Sequence, residues 1–503
     1  MTKSLMILGT GSDVGKSTAA AAFCRIFARK GHKVTPFKAQ NMSNNSYVTI
    51  EGGEIGRAQV VQAEAAGILP SVHMNPVLLK PSSEMGCQVV LHGNVMDSID
   101  ASTYHNLKPR LKKAIMESYG KLALEYDLIV MEGAGSCCEM NLKKTDLVNL
   151  PLAKRVNAPC VLVADIDRGG VFAQVIGTYD LMTQKEQDLT MGFLINKFRG
   201  DPSLFKEGIE YIEKKTRKPV LGLVPFYNDI LIDPEDSVGI QEDRLQFKYA
   251  GPDTLNIAII KLPAISNFTD LEILKQEKRS VVNYLSRARD LDNEYDCIII
   301  PGTKNVVEDC LWLGRTGWKR AIRNFAKKGG RIMGICGGYQ LLGRHILDPE
   351  GIESHRKKVA GLDLLPVETI LERKKIVRKV TGTCLLNRKK IQGYEIHMGR
   401  TRTLDQKGAP LLKIQAIKAN GGWEEGCTVN NGQIFGSYVH GILDAPGFRA
   451  DFLNNLRRAK GLKERVPAKG RKGRYHEYDK LADHFERYCD IDRIIREVSS
   501  PNK

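Results

Sequence analysis

The sequence of 503 residues has no uninterrupted apolar run of about 18 residues, the length a membrane-crossing helix needs. Its start, Met-Thr-Lys-Ser before the short apolar run Leu5–Leu8, is too brief for a signal peptide. No two of the eleven cysteines form a CxxC pair, and their odd number argues against a complete disulfide framework. These absences predict a reduced, cytoplasmic chain with no membrane partner. There is also no internal repeat and no low-complexity tract. What is present is ordinary for globular protein: 42% hydrophobic and 26% charged residues, over a length that calls for two to four cores.

Acidic residues, 58 in number, are outnumbered by 75 lysines and arginines. The formal net charge is +17, which raises nucleic acid as a partner, since basic surfaces release counterions from phosphate backbones. However, much of the excess sits in Arg373–Lys379, Arg388–Lys390 and the tail around Lys460–Arg474, with no aromatic interleaving. Nucleotides and small polycarboxylates are attracted by the same field. The expectation is therefore small polyanionic substrates and no nucleic acid, with the tail forming solvated basic faces.

The most informative stretch is Gly9-Thr10-Gly11-Ser12-Asp13-Val14-Gly15-Lys16-Ser17-Thr18. It follows the apolar strand Leu5–Leu8 and runs into a small-residue helix. A glycine-rich turn of this kind lets backbone N–H groups converge on an anion, helped by the helix N-terminus. Gly11, Gly15, Lys16, Ser17 and Thr18 are expected to bind ATP, with Lys16 on the β- and γ-phosphates and the Ser17 hydroxyl on Mg²⁺. Five residues rather than the usual four separate Gly9 from Gly15.

Residues 1–230 alternate strands with helices, the pattern of a mostly parallel sheet. The expected strands are Leu5–Leu8, Val34–Phe37, Leu128–Met131, Pro159–Ala164, Gly192–Ile195 and Val220–Val224. Ligands of such sheets sit at the carboxyl ends of the strands. The polar run Lys38–Ser46 therefore reads as a ligand-facing loop. Glu132, at the end of a buried strand, stands where a Mg²⁺-binding carboxylate belongs. Asp146, and Asn196 as a reader of the adenine edge, are weaker candidates. The break between Pro225 and Pro252, taken as a linker over 231–253, precedes a second α/β unit over 254–448. Its expected strands include Leu255–Ile260, Cys297–Ile300, Arg331–Ile335, Ile414–Ile417 and Ile434–Tyr438. Residues 449–503 are expected to form a basic helical extension.

The second unit carries its own chemistry. In Gly334-Ile335-Cys336-Gly337-Gly338 the flanking glycines permit the strained strand-to-helix turn that exposes a nucleophile. A thiol needs a base to be reactive near neutral pH, and His440, at the end of a later strand, is the candidate. An acyl oxyanion needs two N–H donors, and the amides of Gly302 and Gly337 are placed to supply them.

Taken together these residues resemble the cobyric acid synthase family, glutamine-dependent amidotransferases of cobalamin biosynthesis. The resemblance is carried by Gly9–Thr18, Phe37–Asn45, Gly56-Arg57-Ala58-Gln59, Gln62–Ala65, Met74–Pro81, Glu132–Ser136, Asn196–Asp201, Gly334–Gln340, Gly393–Gly399 and Tyr438–Gly441. It implies a dethiobiotin-synthetase-like P-loop domain fused to a class I glutamine amidotransferase-like α/β domain. It further implies amidation of the b, d, e and g carboxylates of adenosylcobyrinic acid a,c-diamide, a corrinoid polycarboxylate, using glutamine and ATP. Lys16 and Ser17 carry over as nucleotide and Mg²⁺ groups, Glu132 as a metal ligand, Lys38, Asn41 and Asp146 as substrate groups, and Cys336 with His440 as the glutaminase pair. Many class I amidotransferases place a glutamate two residues after the histidine, but Ile442 stands here. Glu395 is then the candidate to orient His440. The rivals are the related ligase acting on the a and c carboxylates, CTP synthase, and a partition-type switch ATPase, which would leave Cys336 and His440 without a role.

Overall fold

The computed structural model describes residues 2–81, 86–235, 251, 253–419, 421–467 and 471–499, apart from the side chains of 97–103, 105 and 471–473. Its front half is built on six parallel strands. In spatial order they are Val220–Pro225, Thr190–Phe198, Cys160–Asp165, Lys3–Gly9, Leu128–Glu132 and Val34–Phe37. Helices cover the sheet, so strands such as Leu5–Leu8 are apolar on both faces and buried throughout. The helix Lys16–Arg29 lays Ala19–Ala22 against the strands, where side chains this small let the two layers approach closely.

Lys3–Gly9 and Leu128–Glu132 are direct neighbours, with Ile7 opposite Glu132. The phosphate loop and the strand-end acid therefore emerge side by side. The polar run after Phe37 is not only loop. Gln40–Met42 joins a four-stranded sheet with Val77–Pro81, Gly86–Leu91 and Asn94–Asp100, and Ser46–Val48 pairs with Glu54–Gly56. Composition hid these strands because their polar side chains find buried partners, as Asn41 does in Gln59 at 3.0 Å.

In the back half, Ser280–Leu285, Leu255–Ile260, Cys297–Ile300, Arg331–Ile335 and Ile434–Ser437 are parallel, with Cys427–Val429 antiparallel at the edge. The segment expected as Ile414–Ile417 is Leu412–Ala416 and belongs to a different sheet. It alternates buried Leu412 and Ile414 with exposed Lys413 and Gln415, the pattern of a half-solvated antiparallel strand. That second sheet is centred on the long hairpin of Val367–Cys384 and Lys390–Thr403.

The C-terminal extension is helical but not a solvated tail. Pro446–Ala459 packs Phe448, Phe452 and Leu456 into the back core. Arg471–Tyr488 and Ile491–Ser499 return to the front domain, where Phe485 meets Phe23 edge-on at 6.2 Å and Arg25 pairs with Asp479 at 2.8 Å. Arg474 is buried between Asp233 (3.5 Å) and Asp444 (3.6 Å). The basic excess here is internal pairing, which net charge alone could not distinguish from surface. The Gly/Lys/Arg segment Ala468–Gly473 lies largely outside the described residues.

Candidate active sites

At the phosphate loop, Gly15 caps the helix Lys16–Arg29 at φ 101°, a left-handed backbone that favours glycine. A Cβ there would lie 2.1 Å from the Asn196 amide nitrogen. Asn196, expected at an adenine edge, is turned to the phosphate loop. Its Nδ2 donates to the Val14 carbonyl at 2.9 Å, bracing the loop from a neighbouring strand. Lys197 assists, donating to Asp13 O (2.6 Å) and Asp165 (2.8 Å). Lys16 folds its ammonium back onto the Gly11 carbonyl at 2.7 Å, and burial together with nearby Lys38 pulls its pKa below the usual lysine range. Thr18, one residue further into the helix, hydrogen-bonds Tyr227.

Ser17, Lys38 and Glu132 meet as the sequence leads one to expect. Ser17 Oγ donates to Glu132 Oε1 at 2.8 Å, and Lys38 Nζ lies 2.7 Å from the same oxygen. Burial works against the charge on Lys38, but the carboxylates beside it more than offset this and hold its pKa above the usual range. A third participant comes from the supposed linker. Glu235 Oε1 accepts from Lys38 Nζ (2.7 Å), and its Oε2 lies 2.6 Å from Ser17 Oγ, competing with Glu132 for the single hydroxyl proton. The segment before it is anchored as well: Asp233 pairs with Arg57, and Asn45 donates to Pro234 O. A linker over 231–253 is therefore corrected at its start; residues 231–235 belong to the front site. The signal available was an acid-rich Pro-Glu-Asp run just after the last strand of the sheet.

Asn41 is buried beside this region, but Asp146 is not brought into it. Its carboxylate accepts the Val148 and Asn149 amides (2.7 and 3.2 Å), holding the turn before the helix Leu150–Val156. Asn149 in turn clasps both backbone groups of Ala134, shaping the loop that follows Glu132.

At the second site, Cys336 sits at φ 52°, ψ −109°, between the strand Arg331–Ile335 and the helix Gly337–Leu342. Only glycine fits behind the turn, since a Cβ on Gly338 would lie 1.9 Å from the Ile300 carbonyl. This strained turn holds the thiol at the helix N-terminus. Gly337 packs on Thr303, and a Cβ on Gly302 would be 3.3 Å from His440 Cε1, so both oxyanion candidates flank the pair. His440 and Cys336 line one cavity, the thiol resting on the Ile396 carbonyl at 3.4 Å and the His440 Nδ1 meeting Asp270 Oδ2 at 2.6 Å. The other oxygen of Asp270 accepts the Gly441 amide at 2.9 Å, which holds the carboxylate beside the ring. Burial alone would lower the His440 pKa, but Asp270 and Cys336 outweigh it and push it up to about 10.

Asp270, not Glu395, orients the histidine. Glu395 is taken by Arg378 and lies 3.7 Å from His397. Asp270 stands 170 positions before His440 in an unremarkable Asn-Phe-Thr-Asp turn, a separation that no local spacing rule bridges. Replacing it, Asp270→Asn, is expected to lower glutamine hydrolysis by about 10²–10⁴-fold, as loss of an orienting carboxylate does in hydrolytic triads. The variant also has a stability signature. A raised histidine pKa contributes stability that is complete below the unfolded value and is lost as pH rises through about 10. Melting temperatures of the parent should therefore fall more steeply between pH 7 and 10 than those of Asp270→Asn; parallel curves would contradict the pairing.

The two sites are joined by short contacts. Asn45, from the run after Lys38, accepts a hydrogen bond from Thr269 at 3.0 Å, adjacent to Asp270. Tyr394 stacks on His440 at 5.3 Å and packs against Tyr47 at 4.8 Å. A cavity of about 50 Å³ is lined by Cys336, His440, Lys80, Lys304 and Glu353. A larger one of about 680 Å³ shares Lys375 and Met398 with it.

Residues 5–238 match the CobQ/CobB/MinD/ParA nucleotide binding domain, and residues 256–448 match the CobB/CobQ-like glutamine amidotransferase domain. The cobyric acid synthase of Syntrophobacter fumaroxidans is 45% identical, over 98% of both chains. That of Listeria innocua is 44% identical over 98% of this chain and 96% of its own, and that of Chlorobium phaeobacteroides 43% over 98% of both. No helix among the described residues is long and apolar enough to cross a membrane. With a P-loop that binds ATP in one half and a glutamine amidotransferase domain in the other, the chain belongs to the cobyric acid synthase family, glutamine-hydrolysing carbon–nitrogen ligases of cobalamin biosynthesis.

Proposed function

We propose that this ligase amidates the b, d, e and g carboxylates of adenosylcobyrinic acid a,c-diamide, taking each nitrogen from glutamine and activating each carboxylate with ATP. The observation that carries the reading is the contact between Asn45 and Thr269, which sets the Lys38 cluster beside the Cys336–His440–Asp270 triad. In the back site, Cys336 Sγ attacks the glutamine Cδ while the amides of Gly302 and Gly337 receive the oxyanion. The C–N bond breaks as His440 gives its proton to the leaving nitrogen, and water then hydrolyses the glutamyl thioester. Glutamine reaches the thiol through the larger cavity at the domain boundary.

In the front site, a substrate carboxylate oxygen attacks the γ-phosphorus of ATP, and ADP leaves. Ammonia attacks the resulting acyl phosphate, and inorganic phosphate leaves. Activation is needed because a carboxylate is a poor electrophile with a poor leaving group. Lys16 and Lys38 neutralise charge on the transferring phosphoryl group. Ser17 and Glu132 offer the hard oxygen donors that suit Mg²⁺, which when bound would polarise the phosphate oxygens. Asn41 and Lys38 are assigned to the substrate side. Asp146, turned to its own backbone, is not.

The activating unit is taken to run to Glu235 and to include the helices Arg471–Ser499, with the glutaminase over 254–448. Eleven free thiols support a reducing, cytoplasmic setting, and the internal pairing of Arg474 and Arg457 favours small substrates over nucleic acid. The test is a mass measurement of corrinoid product after incubation with the a,c-diamide, glutamine and ATP. Four carboxyl-to-amide conversions are expected. Turnover of cobyrinic acid but not of its a,c-diamide would overturn the assignment in favour of the related ligase.

A further inference from the structure

The front site contains a residue that the phosphate-loop pattern does not account for. Glu235 reaches it from beyond the last strand of the sheet and faces Glu132 across Ser17 and Lys38. Ser17 Oγ is 2.8 Å from Glu132 and 2.6 Å from Glu235, and Lys38 Nζ is 2.7 Å from each. Two carboxylates this close in a buried site need a cation between them. Here the cation is an ammonium.

Glu235 is held in place independently of its carboxylate. Its carbonyl accepts from Ser43 Oγ at 3.1 Å, the preceding Pro234 carbonyl accepts from Asn45, and Asp233 is paired with Arg57. A second observation points to a ligand at the same spot. Gln62 is fully buried, and its Nε2 donates to Glu132 Oε2 at 2.5 Å and lies 3.5 Å from the Ser17 carbonyl. Its Oε1, on the same carbamoyl group, has no hydrogen-bond partner. A buried carbonyl oxygen on a carbamoyl group bonded to Glu132, left without a donor, is suited to a water in a cation's coordination shell.

We propose that Glu235, together with Glu132 and Ser17 Oγ, forms an oxygen-donor site for one divalent cation. In the nucleotide-free protein the Lys38 ammonium stands in that cation's place. The cation's arrival exchanges with the ammonium and frees Lys38 to face the phosphoryl group and the substrate carboxylate. All the donors are hard oxygens, which suits Mg²⁺ or Mn²⁺ rather than a thiolate- or imidazole-seeking metal. The inference rests on the phosphate-loop reading and adds to it a ligand and an exchange.

The test is Mn²⁺ binding to the full chain by electron paramagnetic resonance, with the β,γ-imido analogue of ATP and no corrinoid or glutamine. Glu235→Gln is expected to weaken nucleotide-dependent Mn²⁺ binding by at least about tenfold. Wild-type affinity in that variant would overturn the ligand assignment. Where Glu235→Gln loses its cooperative melting transition, Glu235→Asp, with a retracted carboxylate, serves the same comparison, and unchanged affinity there is equally contrary. Lys38→Met, without nucleotide, is expected to bind Mn²⁺ about tenfold more tightly than the parent, because the competing ammonium is gone. Equal or weaker binding would overturn the exchange. Failure of the parent to bind Mn²⁺ with the analogue at all would overturn the phosphate-loop reading instead, so the two failures are distinguishable.

Discussion

Cys336→Ala should abolish glutamine-dependent amidation, by at least about 10³-fold, while leaving amidation from added ammonium within about threefold of the parent. The thiol is the atom proposed to form the bond to glutamine, and it is the one thiol among the described residues lining its cavity, so its removal leaves no route to the thioester. The front site, by contrast, contacts the triad through Asn45 and Thr269 and through Tyr47 and Tyr394, none of which the substitution alters. Alanine also keeps the turn: its side chain is shorter than that of cysteine, and the packing of Gly337 and Gly338 on Thr303 and Ile300 is unchanged. Paired assays with glutamine and with ammonium check this. Loss of both activities together, in a protein that melts like the parent, would contradict the separation of the sites.

Lys16→Ala should behave differently. Amidation should fall by about 10²–10³-fold from either nitrogen source, the scale on which a preorganised charge at a reacting phosphate contributes. The Lys16 ammonium is nearly buried and rests on the Gly11 carbonyl inside the loop, a position from which only a phosphate at the loop could engage it. Glutamine hydrolysis measured alone should survive, because Lys16 has no contact with the triad. Ammonium-driven product formed at the parental rate would rule out its phosphate role.

The parallel strands of both halves, apart from the half-exposed edge strand Ser280–Leu285, were legible because each is a short, largely apolar run ending in glycine or polar residues, and their bounds differ from expectation by a few residues at most. The nucleophile turn and the phosphate loop were legible for the same reason: both are local, and their chemistry depends on residues within about ten positions. Asp270 and Glu235 were not. Each meets partners far away in sequence, Asp270 meeting His440 and Glu235 meeting Ser17 and Lys38; nothing around Asp270 marks this, and around Glu235 only the Pro-Glu-Asp run after the last strand does. Asn196 carries a contact that its strand-end position did not announce. Its place at a strand end suggested a ligand contact, but the tight approach of Gly15 directs its amide onto the loop backbone. Asp146 likewise lies near the right strand ends yet spends both lone-pair directions of one oxygen on its own turn. The C-terminal helices show the limit of charge counting, since Arg25, Arg29 and Arg474 are neutralised by acids that only the fold brings to them.

The division of labour is tested most directly by isotope transfer in a single incubation, with oxygen-18 in the corrinoid carboxylates and nitrogen-15 in the side-chain amide of glutamine. If the front half phosphorylates the carboxylate and the back half supplies the nitrogen, every new amide will carry nitrogen-15 and each released phosphate will carry one oxygen-18. Phosphate free of the heavy oxygen, or amides free of the heavy nitrogen, would contradict the account.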